Sequence, residues 1–541
     1  MIGIISKDHQ DWAVREFFEL FKTPWEFYDS SRHYDVVIIT KPDAELPDAN
    51  LTLFFGEANG HLSARDPSPG ETLVLHAGQT EFPIYTGCVC FPAGNRGLIE
   101  IKGSDLPACQ EKHKQGRRVL RVGYDIFDEL EFILCHGQPV EFACLPTIDI
   151  HISLLRHWII ESGIILVEVP PVPYGFAFTT CLTHDVDFLE IKDHLLDRSL
   201  LGFIFRALFP VGLKGLGPKR ALRRQIRNWK ALASLPAVFA GWTKDPWLDV
   251  ERYMSLESGT PATYFFIPFK GHPGSSDSIQ PPHYRAAKYD INRHKDLIAS
   301  VLKAGNEIGL HGIDAWLNCR EATKERDVIE GIAGRDCGGV RMHWLYFSDK
   351  SPVSLQDAGL KYDSSSGFNE TVGFKSGTTQ VFCHHQTKLF ELPLNIMDTA
   401  LFSRGRLAVS EKKARDLCQC VINQALAYGG AITVNWHTRS LSPERNWDQF
   451  YSNLLQSIKE LKPWFASAQQ AVDWFSERRA LKFRQIESKG KPGISLSSLP
   501  EQNNLPSPVM RIHHPNPQGN PIAIARTDQP LRGLKNYEVA L

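Results

Sequence analysis

Neither sign of charge predominates in this 541-residue sequence, which has 60 lysines and arginines and 61 aspartates and glutamates. A balanced chain creates no long-range field that attracts nucleic acid, so we expect no nucleic-acid partner. No stretch approaches the roughly 20 uninterrupted apolar residues that a membrane-spanning helix needs. The first residues, "MIGIISKDHQDW", lack the basic segment and apolar core of a secretory signal. These absences predict a cytoplasmic protein.

Signatures of disulfides and of nucleotide cofactors are also missing. The 11 cysteines are an odd number, and the pairs "CVC" and "CQC" have neither zinc-finger nor iron–sulfur spacing. We therefore expect reduced, mostly buried thiols. The N-terminal part contains no glycine fingerprint for a dinucleotide, and "GLKGLG" lacks the Gly-Lys-Ser/Thr ending of a phosphate loop. The function of the N-terminal part is not evident from these residues.

The two ends of the chain differ in character from its centre. Residues 1–110 contain "IGII", "DWAVREFFELFK", "YDVVIIT" and "LTLFFG", in which strand-like and helix-like runs alternate. Continuous apolar runs are typical of strands covered on both faces, so we predict a small α/β domain with a partly parallel sheet. Residues 111–174 are predicted to form a helical connecting region. Residues 481–541 are rich in proline, serine and asparagine, which predicts a disordered tail.

The central segment, residues 175–480, repeats units of a strand followed by a helix. Strand-like runs include "ATYFFIPF", "NEIGLHG" and "AITVNWHT", and helices are predicted around "DINRHKDLIASVLKAG" and "KKARDLCQCVINQALAYGG". This alternation is typical of a (β/α) barrel, for which we predict seven or eight strands. In such barrels the reacting groups lie at the carboxyl ends of the strands.

A basic insertion interrupts the predicted barrel at about residues 195–245. Leucine and aromatic residues stand between lysines and arginines in "RSLLGFIFRALFPVGLKGLGPKRALRRQIRNWKALASL". One interpretation is a set of helices that spread their basic stems over the protein's own surface. The other is a peripheral membrane contact through residues 199–235, or a contact with an anionic glycan. From the sequence alone we favour the first.

Polar residues stand where the predicted strands end. They are His184, Asp185, Asp187, His311, Arg341, His343, Asp363 and His437. Each is weak evidence alone, because a lone histidine is more often a core residue and "DVD" after a strand is a common helix cap. Their conjunction is informative, since the strand ends of a barrel converge on one face.

Carboxylate and neutral imidazole together suit a divalent metal, most often zinc, with one position open for water. Such an ion lowers the pKa of bound water to about 7 and polarises a carbonyl, while a separate carboxylate removes the proton. Asp185 and Asp187 are two residues apart, so they point the same way on a strand. One can bind the ion while the other acts as a base. The pattern therefore predicts metal-assisted hydrolysis.

The motifs and their order resemble those of the NodB-homology polysaccharide deacetylases. "THDVD" resembles the opening motif Thr-Phe-Asp-Asp-Gly, and "NEIGLHG" resembles the His-Glu-Ile-Gly-x-His block. "GVRMHW" is similar to the arginine-bearing third motif, "LKYDSSSGF" to the Tyr/Phe-Asp-Ser-Ser stretch, and "ITVNWHTR" to the late histidine motif. "AQQAVDWFSERR" resembles the closing Trp-x-x-x-Arg helix. The resemblance covers roughly residues 175–480 and implies a distorted (β/α) barrel.

Carried over residue by residue, the resemblance implies a set of catalytic groups. Asp185 matches the general base, and Arg341 matches the residue that orients this base. His437 matches the general acid, and His311 matches the first metal histidine.

Two metal ligands of the family pattern are displaced in this chain. The metal aspartate of the family falls at Val186, so Asp187 is expected to take its place. The second metal histidine falls at Ala315. His343 is the candidate replacement for it, and His184 is the reserve.

The resemblance implies a metal-dependent hydrolase, with zinc as the expected ion, that removes an N- or O-linked acetyl group from a sugar or glycan. Two alternatives remain open. Asp-x-Asp after a strand commonly holds Mn²⁺ and a nucleotide-sugar diphosphate in glycosyltransferases, but this hypothesis leaves the histidines and Arg341 without a role. The missing histidine suggests instead a glycan-binding relative whose metal site has decayed.

Overall fold

The structure is a computed structural model that describes residues 1–56, 72–91, 97–104, 106–114, 116–195, 197–209, 217–275, 282–488, 491–497, 504–515, 525–532 and 537–540. These ranges contain a sheet of nine strands, a sheet of ten strands and two sheets of three strands. None of their helices is long and apolar enough to cross a membrane.

The N-terminal sheet is parallel on one side and antiparallel on the other. Its strands are β1 (Ile2–Ile5), β2 (Trp25–Phe27), β3 (Val36–Ile39), β4 (Leu51–Phe55), β5 (Leu73–Ala77), β6 (Thr80–Ile84), β7 (Gly97–Ile101), β8 (Pro107–Lys114) and β9 (Arg117–Val122). Strands β2, β1, β3, β4 and β9 are parallel neighbours, and β8, β7, β5 and β6 extend the sheet in antiparallel fashion. Strand β3 is buried along its whole length, as the run "VVII" predicts.

Three helices pack on the N-terminal sheet and share its apolar core. They are α1 (Asp11–Leu20), α2 (Ile126–His136) and α3 (Thr147–Glu161), and β10 (Leu166–Glu168) follows them. Asp125 caps α2, because its side chain accepts hydrogen bonds from the backbone N–H groups of Phe127 and Asp128.

The central sheet is the one that carries the predicted strand ends. Its strands are β11 (Thr179–Val186), β12 (Ala262–Phe266), β13 (Glu307–Gly312), β14 (Gly339–Met342), β15 (Tyr362–Asp363), β16 (Phe382–Cys383), β17 (Phe390–Glu391), β18 (Ile396–Met397), β19 (Ala431–Asn435) and β20 (Trp464–Phe465). The order is β16-β17-β15-β14-β13-β12-β11-β19-β18, with β20 beside the start of β11. All pairs except β16–β17 are parallel.

The central sheet curls so that one chain segment contacts both of its ends. Residues 390–397 begin as β17, paired with β15, and end as β18, paired with β19. Helices follow most of the strands. They are α4 (Arg198–Leu208), α5 (Pro218–Phe239), α6 (Val250–Leu256), α7 (Lys295–Lys303), α8 (Cys319–Ala333), α9 (Ser351–Asp357), α10 (Asp398–Phe402), α11 (Glu411–Tyr428), α12 (Asp448–Glu460) and α13 (Ala468–Ala480).

The prediction of a helical connecting region from residue 111 is wrong at its start. Strands β8 and β9 carry the first sheet to Val122, and the first helix after them begins at Ile126. The run "RRVLRV" alternates polar and apolar residues, and β9 completes the parallel side of the sheet by pairing with β4. This long-range pairing is not visible in the local pattern.

The prediction of a disordered tail is also wrong for the residues that the structure describes there. Strand β21 (Phe483–Ser488) pairs with β22 (Lys491–Leu496), which in turn pairs with β25 (Tyr537–Ala540). Strand β23 (Val509–His514) lies between β10 and β24 (Ala525–Pro530). The edge of β10 supplies pairing partners that the composition of the tail does not reveal. Residues 489–490, 498–503, 516–524, 533–536 and 541 of the predicted tail lie outside the described ranges.

Buried polar contacts join the N-terminal and central parts. Asp149 on α3 accepts hydrogen bonds from the backbone N of Thr379 at 2.6 Å and from Nε2 of Gln380 at 3.1 Å. Arg478 on α13 donates Nη1 and Nη2 to the carbonyl oxygens of Glu19 and Leu20, at 2.9 and 3.0 Å. A buried charge without a hydrogen-bond partner is costly, so separating the two parts of the chain at these contacts would be unfavourable.

Candidate active site

Asp185 and Asp187 stand together at the carboxyl end of β11. All eight residues of β11 are buried, as expected of a central parallel strand. Side chains alternate along a strand, so Asp185 and Asp187 share one side and His184 faces the other. Nε2 of His437 lies 3.9 Å from Oδ2 of Asp185 and 3.6 Å from Oδ2 of Asp187. The two carboxylates therefore face the same imidazole.

Asp187, His311 and His343 form a compact cluster. Oδ1 of Asp187 lies 3.1 Å from Nε2 of His311 and 3.3 Å from Nδ1 of His343, and these two nitrogens are 3.0 Å apart. His311 lies on β13 and His343 directly after its parallel neighbour β14. Both imidazoles are buried, whereas the side chain of Asp187 is 33% exposed. The cluster thus opens to solvent on the Asp187 side.

Backbone carbonyls determine the tautomers of both histidines. The carbonyl oxygen of Arg341 lies 2.8 Å from Nδ1 of His311, and that of Arg285 lies 3.1 Å from Nε2 of His343. Because a carbonyl only accepts, these nitrogens carry the protons, and in the neutral imidazoles His311 Nε2 and His343 Nδ1 present lone pairs. Oδ1 of Asp187 is buried and has no hydrogen-bond donor among the described residues. Three electron pairs converge on one point, which is the arrangement that a cation requires.

Asp185 is held by two donors and does not belong to that cluster. Nη1 of Arg341 lies 3.1 Å from its Oδ1, and Nδ2 of Asn435 donates to its Oδ2 at 2.7 Å. The same Oδ2 lies 4.0 Å from Nε2 of His311. Its carboxylate is therefore oriented beside the convergence point without occupying it.

Arg341 is itself clamped from several directions. Its Nε donates to the carbonyl oxygen of Ser364 at 2.9 Å, and its Nη1 donates to Oγ1 of Thr183 at 2.6 Å. The guanidinium lies over the ring of Phe265, 4.7 Å from the ring centroid. Phe265 in turn fits against Gly309, where a Cβ would lie 2.5 Å from the ring. The glycine of "EIGLH" thus provides the space beneath the guanidinium.

His437 is oriented by a buried carboxylate on the far side of its ring. Oδ1 of Asp398 lies 2.6 Å from Nδ1 of His437, and Oδ2 of Asp398 accepts from the backbone N of His437 at 2.8 Å. Ser440 also donates its hydroxyl to Asp398. With Nδ1 bound to Asp398, Nε2 is directed at Asp185 and Asp187.

Burial has the largest effect on the pKa of four side chains in this site, and neighbouring charges oppose it. Burial would raise the pKa of Asp185 and Asp187, but the positive charge of the facing histidines in their protonated form, with Arg341 beside Asp185, holds both below their usual range. Burial lowers the pKa of His343 despite the attraction of Asp187. Burial would lower the pKa of His437 too, yet Asp398, Asp187 and Asp185 raise it to about 9.

Two of the predicted strand-end residues lie outside this site. His184 faces the opposite side of β11, where Nδ1 lies 2.8 Å from the carbonyl oxygen of Trp436 and Nε2 lies 3.0 Å from Glu257. It cannot serve as the reserve metal ligand. Asp363 belongs to a separate buried cluster with His384 and Glu391. Asp185 lies within β11, and the short 3-10 helix that follows begins at Ile191 with Glu190 at its N-cap position, so Asp185 is not a helix cap.

Asp398 and Asn435 are site residues that the sequence interpretation missed. Asp398 follows "LNIM" at the end of β18, so the rule that selected the other strand ends would have selected it as well. Asn435 precedes His437 by two residues and ends β19. Its side-chain amide carries no charge, so only its tertiary contact with Asp185 identifies it as a residue of the site.

Comparisons with known proteins find similar solved structures for this chain but no matching sequence family. No family model matches, and no curated protein matches. Among solved structures, the carbohydrate deacetylase Agd3 aligns over 100% of this chain and 99% of its own, with 9% identity and a TM-score of 0.38.

Two further solved structures match somewhat more than half of the chain. One is a polysaccharide deacetylase, by its description, from Mycobacterium smegmatis, with 18% identity and a TM-score of 0.34 over 57% of this chain and 94% of its own. The other is the allantoinase PuuE, with 12% identity and a TM-score of 0.32 over 56% and 92%. At these values the likeness does not bear on activity, so the function is inferred from the site.

Proposed function

We propose that this protein is a metal-dependent hydrolase that removes an acetyl group from a sugar or glycan. The observation that carries the proposal is the convergence of Asp187 Oδ1, His311 Nε2 and His343 Nδ1, with no donor among the described residues to satisfy the carboxylate oxygen. The motif order and the curled parallel sheet support a distorted (β/α) barrel around this site.

Asp187, His311 and His343 would hold the divalent ion. One carboxylate and two neutral imidazoles form a donor set that suits zinc, and the hydrogen bonds to two backbone carbonyls fix the ring orientations. When bound, such an ion supplies a Lewis acid that polarises the acetyl carbonyl and acidifies water. The partly exposed side of Asp187 leaves room for the substrate.

Asp185 would act as the general base. Asn435 and Arg341 hold its carboxylate ionised and aimed, because both donate to it and the guanidinium favours the charged form. Its Oδ2 lies next to His311 Nε2 and His437 Nε2, at 4.0 and 3.9 Å, and so borders the space where water and the acetyl group would meet. From that position it can take the proton of the attacking water.

His437 would act as the general acid. Asp398 holds the proton of Nδ1 and stabilises an imidazolium, so that Nε2–H points into the same space as Asp185 and Asp187. From Nε2 the proton can pass to the departing amine or alkoxide as the carbonyl–heteroatom bond breaks. The two proton-transfer groups thus face each other across the cluster.

The two alternatives make different demands on these residues. An Asp-x-Asp glycosyltransferase needs both carboxylates free for one ion, but Asp185 is bound by Arg341 and Asn435. A decayed binding site would lack a full ligand set, but His343 stands where the cluster needs a third ligand. Both contacts favour the hydrolase.

The test is acetate release from N-acetylated and O-acetylated oligosaccharides by the full-length protein, before and after treatment with a chelator and after zinc is restored. We expect release that disappears with the chelator and returns with zinc, and that is about 10²–10⁴-fold slower in the Asp185→Asn variant. Chelator-resistant release would contradict metal dependence. Binding of the oligosaccharides without any acetate release would favour the decayed binding site.

A further inference from the structure

The helical pair α4 and α5 exposes an unusual share of the protein's apolar side chains. Ten of the nineteen large hydrophobic residues that are exposed among the described residues lie between positions 195 and 242. A surface patch of this kind marks an interaction site, because single exposed apolar residues are normal but concentrated ones are not.

The exposed residues form one stripe along each helix. On α4 they are Leu201, Phe205 and Leu208, and on α5 they are Leu222, Ile226 and Trp229, each at least 40% exposed. Both sets follow the spacing i, i+4, i+7, which places them on one side of a helix. We refer to these six residues as the hairpin face.

The opposite sides of both helices are occupied by the protein's own core. Phe203 and Ala207 of α4 are buried together with Ala231, Leu235 and Val238 of α5. Nε1 of Trp229 donates to the carbonyl oxygen of Ala207 at 2.9 Å, so α5 is attached to the end of α4. The hairpin face is therefore a second apolar surface, additional to the one that packs inward.

The charge of this segment has a single sign. Residues 198–244 contain ten lysines and arginines and no aspartate or glutamate. Some of these cations are used internally: Arg206 pairs with Glu444 at 2.9 Å, and Arg227 pairs with Asp448 at 2.9 Å. Arg223 and Lys230 are exposed on α5, and no carboxylate of the described residues pairs with either.

We propose that the hairpin face docks on the surface of an anionic phospholipid bilayer. Apolar side chains at helical spacing, flanked by lysine and arginine, suit the boundary between headgroups and acyl chains, where tryptophan and phenylalanine are also favoured. Each nearby cation adds attraction to anionic lipid. A second copy of the chain is a poor occupant, since two such segments would bring like charges together with no carboxylate between them.

The experiment is flotation of the full-length protein with vesicles of phosphatidylcholine alone, or of phosphatidylcholine with about one third phosphatidylserine. We expect the protein to bind the anionic vesicles, and to bind the neutral vesicles about tenfold or more weakly. High salt should reduce the binding to the anionic vesicles. Two variants test the two components: Leu201→Ser/Phe205→Ser/Leu222→Ser, and Arg223→Glu/Lys230→Glu. Each should lower the partition by about tenfold or more.

Control variants carry two substitutions of the same kind, apolar to serine or cation to glutamate, on other helices. Val353→Ser/Leu426→Ser removes apolar residues that are 47% and 41% exposed, and Lys412→Glu/Arg415→Glu reverses two exposed cations on α11. Both controls should bind like the unchanged protein. A second measurement uses only the unchanged protein and so does not depend on whether a variant folds. Lipids with brominated chains should quench its tryptophan fluorescence, because Trp229 is 51% and Trp242 is 83% exposed.

The proposal is overturned if the unchanged protein ignores anionic vesicles, or if the controls lose as much binding as the two variants. It is also overturned if the unchanged protein is a dimer that the apolar variant converts to a monomer, with no vesicle binding by either. That result would assign the hairpin face to self-association. None of these measurements involves hydrolysis, so their outcome is independent of the proposed function.

Discussion

Nδ1 of His343 lies 3.0 Å from Nε2 of His311, and in the neutral imidazoles both nitrogens present lone pairs, because the other nitrogen of each ring faces a backbone carbonyl. Two lone pairs at this distance repel, and the carboxylate of Asp187 adds a negative charge to the same point. A divalent cation converts all three repulsions into attractions. With a divalent cation at this point, His343 would supply the ligand that the resemblance places at Ala315.

Removal of one imidazole should abolish metal binding. We expect His311→Ala and His343→Ala to retain little zinc after dialysis, because a three-ligand site that loses one ligand binds its ion far more weakly. Metal content per chain, measured by mass spectrometry, is the readout. His113→Ala, which removes a histidine whose side chain is 68% exposed on β8, is the control and should retain the metal. Full zinc content in both site variants would show that the ion binds elsewhere.

Asp185→Asn should reduce turnover and leave metal content unchanged. A general base contributes about 10²–10⁴-fold, and the asparagine cannot accept the proton of the attacking water. The amide can still fill the space between Arg341 and Asn435, so the fold should persist. Acetate release and zinc content are measured on the same preparation. An asparagine variant with unchanged turnover would remove Asp185 from the mechanism.

His437→Ala should lower the turnover of a substrate more strongly when the leaving group of that substrate needs a proton. We expect a loss of about 10²–10⁴-fold in kcat on an N-acetyl sugar and a much smaller loss on an aryl acetate, whose phenolate leaves without protonation. Asp398→Asn should show the same difference at about 10–100-fold, because it only orients the imidazole. Equal losses on both substrates would mean that His437 positions or binds the substrate instead.

Gly309→Ala should disturb Arg341 through the ring of Phe265. The added Cβ would lie 2.5 Å from that ring, which supports the guanidinium, so we expect a stability loss of about 1–3 kcal/mol and a lower kcat. Gly331→Ala is the matched control, because its Cβ meets nothing within 4 Å in α8. That change should raise helix stability by up to about 1 kcal/mol. A Gly309→Ala protein as stable and active as the control would contradict the packing argument.

Glu168→Gln should loosen the described part of the tail from β10. Glu168 is buried, and its carboxylate lies 2.9 Å from Nη2 of Arg156 and 2.8 Å from Nε2 of His513 on β23. Burial would raise its pKa, but Arg156 and His513 hold it below the usual range. Loss of the charge should cost about 2–4 kcal/mol at neutral pH, measured by urea unfolding.

The pH dependence of that loss has a definite sign. A lowered pKa in the folded state stabilises the fold above the unfolded-state pKa of about 4.3, and the contribution disappears as the pH falls through the folded-state value. The difference between the unchanged protein and Glu168→Gln should therefore shrink in acid. Glu81→Gln, in the exposed pair with Lys102, should change stability by less than about 1 kcal/mol at any pH. A difference as small for Glu168→Gln would mean that the tail is not held through this residue.

Local sequence patterns identify most of the candidate site, because its polar side chains at strand ends follow runs that are apolar enough to be recognised. Asp185, Asp187, His311, Arg341, His343 and His437 were each predicted from the residue type and its place after such a run, and the structure brings all six together. The mixed α/β class followed from the same periodicity, since a strand buried on both faces must be apolar throughout. Their individual roles remain predictions.

Only the tertiary structure decided which partner each of these residues contacts. The pairing of Asp398 with His437, the donors of Asp185 and the exclusion of His184 all depend on strands that are distant in sequence but adjacent in the sheet. The strands of the tail and the extension of the first sheet to Val122 have the same origin. Hydrogen bonds between strands join residues that share no local pattern, so the sequence of either strand alone does not specify the pair.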